Sequence, residues 1–240
     1  MRPDLWRRCL AEALGTGLLV AVVVGSGIAA QTLSPGDVGL QLLENAAATA
    51  GGLVALILAL GPVSGAHFNP VVTLADRFFG GLSTRETIAY MPSQIVGGCL
   101  GSVLANVMFS QPALQLSTKA RSGGGLWVAE VVATVGLLLV IFGVVRSGRS
   151  SSAPFAVGAY IGGAYFFTSS TSFANPAVTI ARTLSDTFAG IEPSSAPAYI
   201  VFEVVGLGIA LVLIRALYPD AGAAAADVVV PMVAETSEVS

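Results

Sequence analysis

Two asparagine–proline pairs carry the chemistry of this chain: Asn69-Pro70 and Asn175-Pro176. The second lies in a stretch with no charge from Ala153 to Ala181. Asparagine is a strong helix N-cap, and proline is favoured at the first helical position, where its missing N–H costs nothing. Each pair therefore predicts a helix that starts in the middle of apolar sequence. From Pro70 to Phe79 such a helix is about 15 Å long, at 1.5 Å per residue, or half a bilayer. The backbone leading in is Gly61–Phe68 in one case and Thr168–Ala174 in the other, rich in Gly, Ser and Thr. Non-helical backbone at membrane depth is tolerated where it lines a wet cavity. The carbonyls of Gly65, Ala66, His67, Thr171, Ser172 and Phe173 would then form a ladder of acceptors. The amides of Asn69 and Asn175 would add donors at the centre, beside two positive helix ends. Asn69, Pro70, Val71, Asn175, Pro176 and Ala177 are the expected pore centre. Such a pore admits small neutral hydroxylated molecules and repels cations, protons included.

Elements long enough to carry these loops are plain in the composition. The 240 residues are 54% hydrophobic and 10% charged, less than half the charge of a soluble domain. Apolar runs cover Leu10–Ala30, Ala46–Val63, Ile88–Met108, Leu126–Val145, Ala153–Ala181 and Ser194–Ile214, and the fifth is too long for one span. An all-α membrane protein with six transmembrane helices and two re-entrant half-helices is expected. The first run could pose as a signal peptide, but five further spans follow it. Placing the N-terminus inside puts eight Lys and Arg on the inner side and three on the outer, so both termini are expected in the cytoplasm. Two cysteines and one histidine suggest neither a disulfide framework nor a metal site, and no cofactor is expected. The tail from Pro219 reads as a disordered cytoplasmic segment.

The chain repeats itself. Ala11-Glu12 followed by Thr16 recurs as Ala129-Glu130 followed by Thr134, and Tyr90-x-x-x-Gln94-x-x-Gly97 recurs as Tyr199-x-x-x-Glu203-x-x-Gly206. Between these signatures sits an Asn-Pro pair each time. Each half has three spans, so the second lies upside down relative to the first, a design that places a site at the midplane. The repeats are expected at about residues 5–109 and 126–218, within one channel domain over 1–218, followed by the tail at 219–240.

"SGAHFNPVVT" (Ser64–Thr73), "SFANPAVT" (Ser172–Thr179) and the paired Glu12 and Glu130 resemble the aquaporin, or major intrinsic protein, family over about residues 5–218. The resemblance implies an aquaporin-like inverted repeat, a homotetramer with one pore per subunit, and passive flow of water and small neutral solutes across the plasma membrane. It implies that Glu12 and Glu130 brace the re-entrant loops by accepting backbone N–H bonds. One departure is Val71, where relatives carry Ala. Counting from the motifs puts the family's selectivity filter at Thr49, Gly163, Ser172 and Val178, the last being nearly always Arg in relatives. The expected mouth is wide and uncharged, with no ring. It suits glycerol-like polyols and trivalent metalloid hydroxides such as arsenite, and Val178 also resembles bacterial aquaglyceroporins linked to arsenical resistance.

Alternatives stand beside these readings. The channel could be water-selective or conduct ammonia or urea, or the chain could be an ion-coupled transporter or a closed structural protein. Glu12 and Glu130 could relay protons instead of bracing loops. His67 could be a pH gate, or merely pack beside its loop. Arg182, four residues past Val178, is expected either to snorkel toward the lipid interface or to charge the outer vestibule. Nothing in the sequence argues for an enzyme or for nucleic-acid binding; lipid, water and small solutes are the expected partners.

Overall fold

Each apolar run becomes helix because the bilayer core offers the backbone no other hydrogen-bond partner. The computed structural model describes residues 2–219. In chain order it holds α1 (Leu5–Leu33), α2 (Val38–Ser64), α3 (Pro70–Phe79), α4 (Thr84–Met108), α5 (Gly124–Arg146), α6 (Ala153–Phe167), α7 (Pro176–Ala181) and α8 (Ala196–Leu217). Five of these are long and apolar enough to cross a membrane. The sixth crossing element, α6, has only 15 residues and is preceded by a 3-10 turn at Ser150–Ser152. The rest of its apolar run becomes a loop and α7. The expected tail lies, from Asp220 on, outside the described residues.

The two half-helices start as their sequences require. Asn69 and Asn175 are both extended, with φ −156° and −160°. The Asn69 side chain accepts from Val71 N at 3.0 Å, and that of Asn175 from Ala177 N at 3.0 Å and Val178 N at 3.3 Å. Gly80 stops α3 in the left-handed conformation, φ 93°, while α7 tightens after six residues into a 3-10 turn at Arg182–Leu184. One lead-in differs from expectation. Gly61-Pro62 does not end α2, which runs through Pro62 to Ser64 and stops at Gly65, φ 89°. A proline removes one helical hydrogen bond, but neighbouring turns carry the helix on inside a packed membrane protein.

Glycines set how closely the long helices approach. A Cβ at Gly97 would collide with the Ala13 carbonyl, and one at Gly101 with that of Gly17, so α1 and α4 lie backbone against backbone. Gly158 faces the Ala50 carbonyl and joins α6 to α2. Gly206 faces the Val131 carbonyl and joins α8 to α5. These are the small-residue contacts that let helices pack where oil supplies no hydrophobic drive. The outer faces of α1 and α4 expose Leu10, Leu14, Leu18, Val96, Leu100 and Leu104 at fourfold spacing, a surface made for lipid tails. At one end, Arg8 pairs with Glu86 at 2.6 Å, and Glu86 also closes a capping box with Ser83.

Candidate functional site: a cavity between two re-entrant loops

The two loops meet at the centre and hold each other. Asn69 Nδ2 donates to Ala174 O at 2.7 Å, and Asn175 Nδ2 donates to Phe68 O at 2.8 Å. Each amide thus spends one N–H on the opposite loop and keeps one. Both asparagines line an internal cavity of about 60 Å³, several times the ~10–15 Å³ that a single water needs.

Left-handed residues recur in both loops: Ala66 and Phe68 at φ 50° and 49°, then Thr171, Ser172 and Ala174 at 65°, 52° and 46°. Such backbone is uncommon outside glycine and needs external support. Buried carboxylates provide it. Glu12 accepts from Ser64 Oγ (2.6 Å), His67 N (3.0 Å), Phe68 N (2.7 Å) and Gln94 Nε2 (2.7 Å). Glu130 accepts from Phe173 N (3.0 Å) and Ala174 N (2.7 Å). With the N–H groups turned to the carboxylates, the carbonyls of Gly65, Ala66, His67, Thr171, Ser172 and Phe173 receive no hydrogen bond from the described residues. Unpaired carbonyls beside a cavity are acceptors waiting for a solute.

Of the expected site residues, Thr49, Ala66, His67, Asn69, Ser172, Phe173, Asn175 and Val178 line the cavity. Pro70, Val71, Pro176 and Ala177 are buried behind it, so the extra methyls of Val71 pack against protein. Gly65 and Thr171 are not in the cavity wall. His67 is held by Thr73 Oγ1 at 3.1 Å and Asp76 at 3.5 Å.

Gly163 must be corrected. It is exposed on the outside of α6, and a Cβ there would meet nothing within 4 Å. The cavity stripe of α6 is Val157, Ile161 and Tyr165, matched on α2 by Thr49, Leu53 and Ile57. Gly163 lies two residues from Ile161 and from Tyr165, hence about 200° around the helix. The loop before Asn69 spans residues 65–68, and that before Asn175 spans 168–174. The count back from Asn175 to Gly163 runs through all seven residues of the second loop, which do not keep a helical register.

The expected ring-free, uncharged mouth falls with it. Tyr165, Phe173 and Arg182 all line the same cavity as Val178. Thr49 Oγ1 and Tyr165 Oη, both in its wall, are hydrogen-bonded at 3.1 Å. Arg182 does not snorkel: it is only 2% exposed, its Nε donates to Ala189 O, and its guanidinium lies 3.5 Å from the Phe173 ring centroid. Sequence reasoning missed Tyr165, although its fourfold spacing from Ile161 and Val157 was visible.

The segment from Phe109 to Gly123 is tied to the chain that follows Arg182. Ser117 N donates to Thr183 O (2.9 Å), Thr118 N to Asp186 Oδ1 (2.8 Å), and Glu192 N to Lys119 O (2.8 Å). The bond from Thr118 holds the Asp186 carboxyl below its ordinary range. Partial burial, then repulsion from Arg121 and Arg182, draws the Lys119 ammonium down to about 8.

The chain is similar to known proteins. The family model described as major intrinsic protein matches residues 1–174. Aquaglyceroporin AqpS of Rhizobium meliloti is 49% identical over 218 residues, 91% of this chain and 93% of its own length. Aquaporin AqpM of Methanothermobacter marburgensis is 31% identical over 85% of this chain and 94% of its own. The solved aquaglyceroporin of Plasmodium falciparum superposes with a TM-score of 0.71 over 91% of this chain and 99% of that one, at 20% identity, a likeness of fold. With two Asn-Pro half-helices meeting in a six-crossing bundle, and with these matches, the chain belongs to the major intrinsic protein family.

Proposed function

We propose that the chain is a passive plasma-membrane channel for water and small neutral solutes, among them glycerol-like polyols and trivalent metalloid hydroxides such as arsenite. Its family consists of channels and not enzymes. The observation that carries the reading is the line of unpaired loop carbonyls beside two asparagine donors. Those groups replace the hydration of a neutral hydroxylated molecule and offer an ion no full charge. The similarity to a protein named an aquaglyceroporin supports polyols as the solute class. Val178 supports passage of larger bodies: its methyls stand in the cavity wall where a longer cationic side chain would project. Residues 1–218 form the channel domain, both termini face the cytoplasm, and the working unit is a homotetramer in lipid. Thr49, Tyr165, Phe173, Ser172 and Val178 form its outer constriction.

Val178→Arg tests this in proteoliposomes. Glycerol and arsenite uptake should fall by roughly tenfold, the effect of about 1.4 kcal/mol on the barrier. Unchanged uptake would remove Val178 from the constriction. Water-selective passage is the reading that Tyr165 and Arg182 favour, since a ring and a cation both border the cavity. Stopped-flow traces with fast water flux and glycerol flux no higher than in empty vesicles would establish it.

A further inference from the structure

We propose that Arg182 supplies the fixed positive charge of the pore mouth from one helical turn beyond Val178, with the Phe173 ring as its platform. This rests on the channel reading above.

The geometry begins with a short helix. Arg182 lies four residues past Val178, one helical turn on, and lines the same cavity just where α7 ends at Ala181 and the chain tightens into a 3-10 turn. Its guanidinium rests on Phe173, whose backbone N–H is bonded to Glu130. The Tyr199 ring meets the Phe173 ring edgewise at 5.0 Å. The Arg121 guanidinium approaches the same ring at 5.2 Å and is itself tied to Gly190 O at 2.9 Å. Two cations therefore sit against one aromatic ring, each drawn by its quadrupole.

Neither guanidinium has a counterion. Among the described residues no carboxylate lies within ion-pair distance of Arg182 or Arg121. A buried arginine without one is costly, and its field is left uncancelled in a low-dielectric wall. Only Nε of Arg182 is bonded, to Ala189 O. Its two terminal nitrogens are neither bonded within the described residues nor among the enclosed unsatisfied atoms, which leaves donors for a passing hydroxyl. Burial, an aromatic seat, absence of a counterion and a cavity-facing end together fit a selectivity charge. A clamp on the 183–191 loop would need only the bond to Ala189.

The test uses the purified full chain in proteoliposomes, with stopped-flow glycerol flux and dye-monitored proton and potassium leak. The parent should pass glycerol and leak little. Arg182→Ala should raise glycerol flux and raise the leak by roughly tenfold, the low end of what a one-sign field in a low-dielectric cleft does to local ion concentration. Arg182→Lys, which keeps the charge and loses the planar fork, should be tight. Adding Val178→Arg to Arg182→Ala should restore tightness by returning a cation one turn back. The proposal is overturned if Arg182→Ala is as tight as the parent. It is equally overturned if Arg182→Lys leaks, which would make the bond to Ala189 the function; that arm serves even where Arg182→Ala does not assemble. No glycerol flux in the parent would instead sink the channel reading, and this one with it.

Discussion

The two re-entrant loops solve one problem in two ways. In the first, a single carboxylate, Glu12, gathers four donors, one of them the Gln94 amide. In the second, the same work is divided. Glu130 takes Phe173 N and Ala174 N, while Glu203, at the place of Gln94 in the repeat, takes Asn175 N at 3.1 Å and Thr179 Oγ1 at 2.7 Å. The first loop has four residues and carries His67 into the cavity; the second has seven and is followed by Arg182. A short loop can hang from one point, whereas a longer one needs two. The asymmetry also separates the functions of the ends: the histidine end is braced by Thr73 and Asp76, and the arginine end by rings and loop carbonyls.

The largest effect should come from removing the single support. Glu12→Leu orphans two buried N–H groups, a hydroxyl and an amide, at roughly 1–3 kcal/mol each. It should abolish assembled protein in detergent extracts. Glu130→Leu orphans two N–H groups while Glu203 still holds Asn175, so a reduced but measurable yield and glycerol flux are expected. Equal losses in the two variants would break the comparison.

A smaller effect sharpens it from the other side. Gly163→Ala should leave stopped-flow water and glycerol rates unchanged, because its Cβ points into open space, whereas Tyr165→Ala should raise glycerol flux. A change of solute preference in Gly163→Ala would return that position to the constriction.

The smallest effect concerns the arginine end alone. Lys119 titrates at about 8, below its ordinary 10.5, so folding disfavours its charged form. That penalty is fully present below pH 8 and is relieved as pH rises from 8 through 10.5. Thermal unfolding followed across this window should show a slight gain in stability that Lys119→Gln removes.

Much of this was legible in the residues. Asn-Pro in apolar sequence dictates a cap and a helix start wherever it occurs, so α3 and the start of α7 could be placed from the sequence. Gly97, Gly101 and Gly158 sit where only a missing Cβ admits a neighbouring carbonyl. What failed was transfer of register across a loop. The position of Gly163 was reached by counting through seven non-helical residues, whose rise and rotation per residue are not those of a helix. Of the two alternatives for Arg182, snorkelling failed for a related reason. The rule that an arginine near a helix end reaches for water assumes a helix end at the lipid boundary, and α7 ends inside the protein.

The crossed bonds between Asn69 and Ala174, and between Asn175 and Phe68, bear on how the molecule is made. The partners are separated by 105 and 107 residues. During synthesis the first loop therefore waits, with a strained backbone and an idle amide, until four helices more have been delivered to the bilayer. Neither half can finish its own centre. Quality control is thus written into the passage itself: a chain that stops short, or inserts its second half the wrong way up, never closes the one feature that would make it conduct.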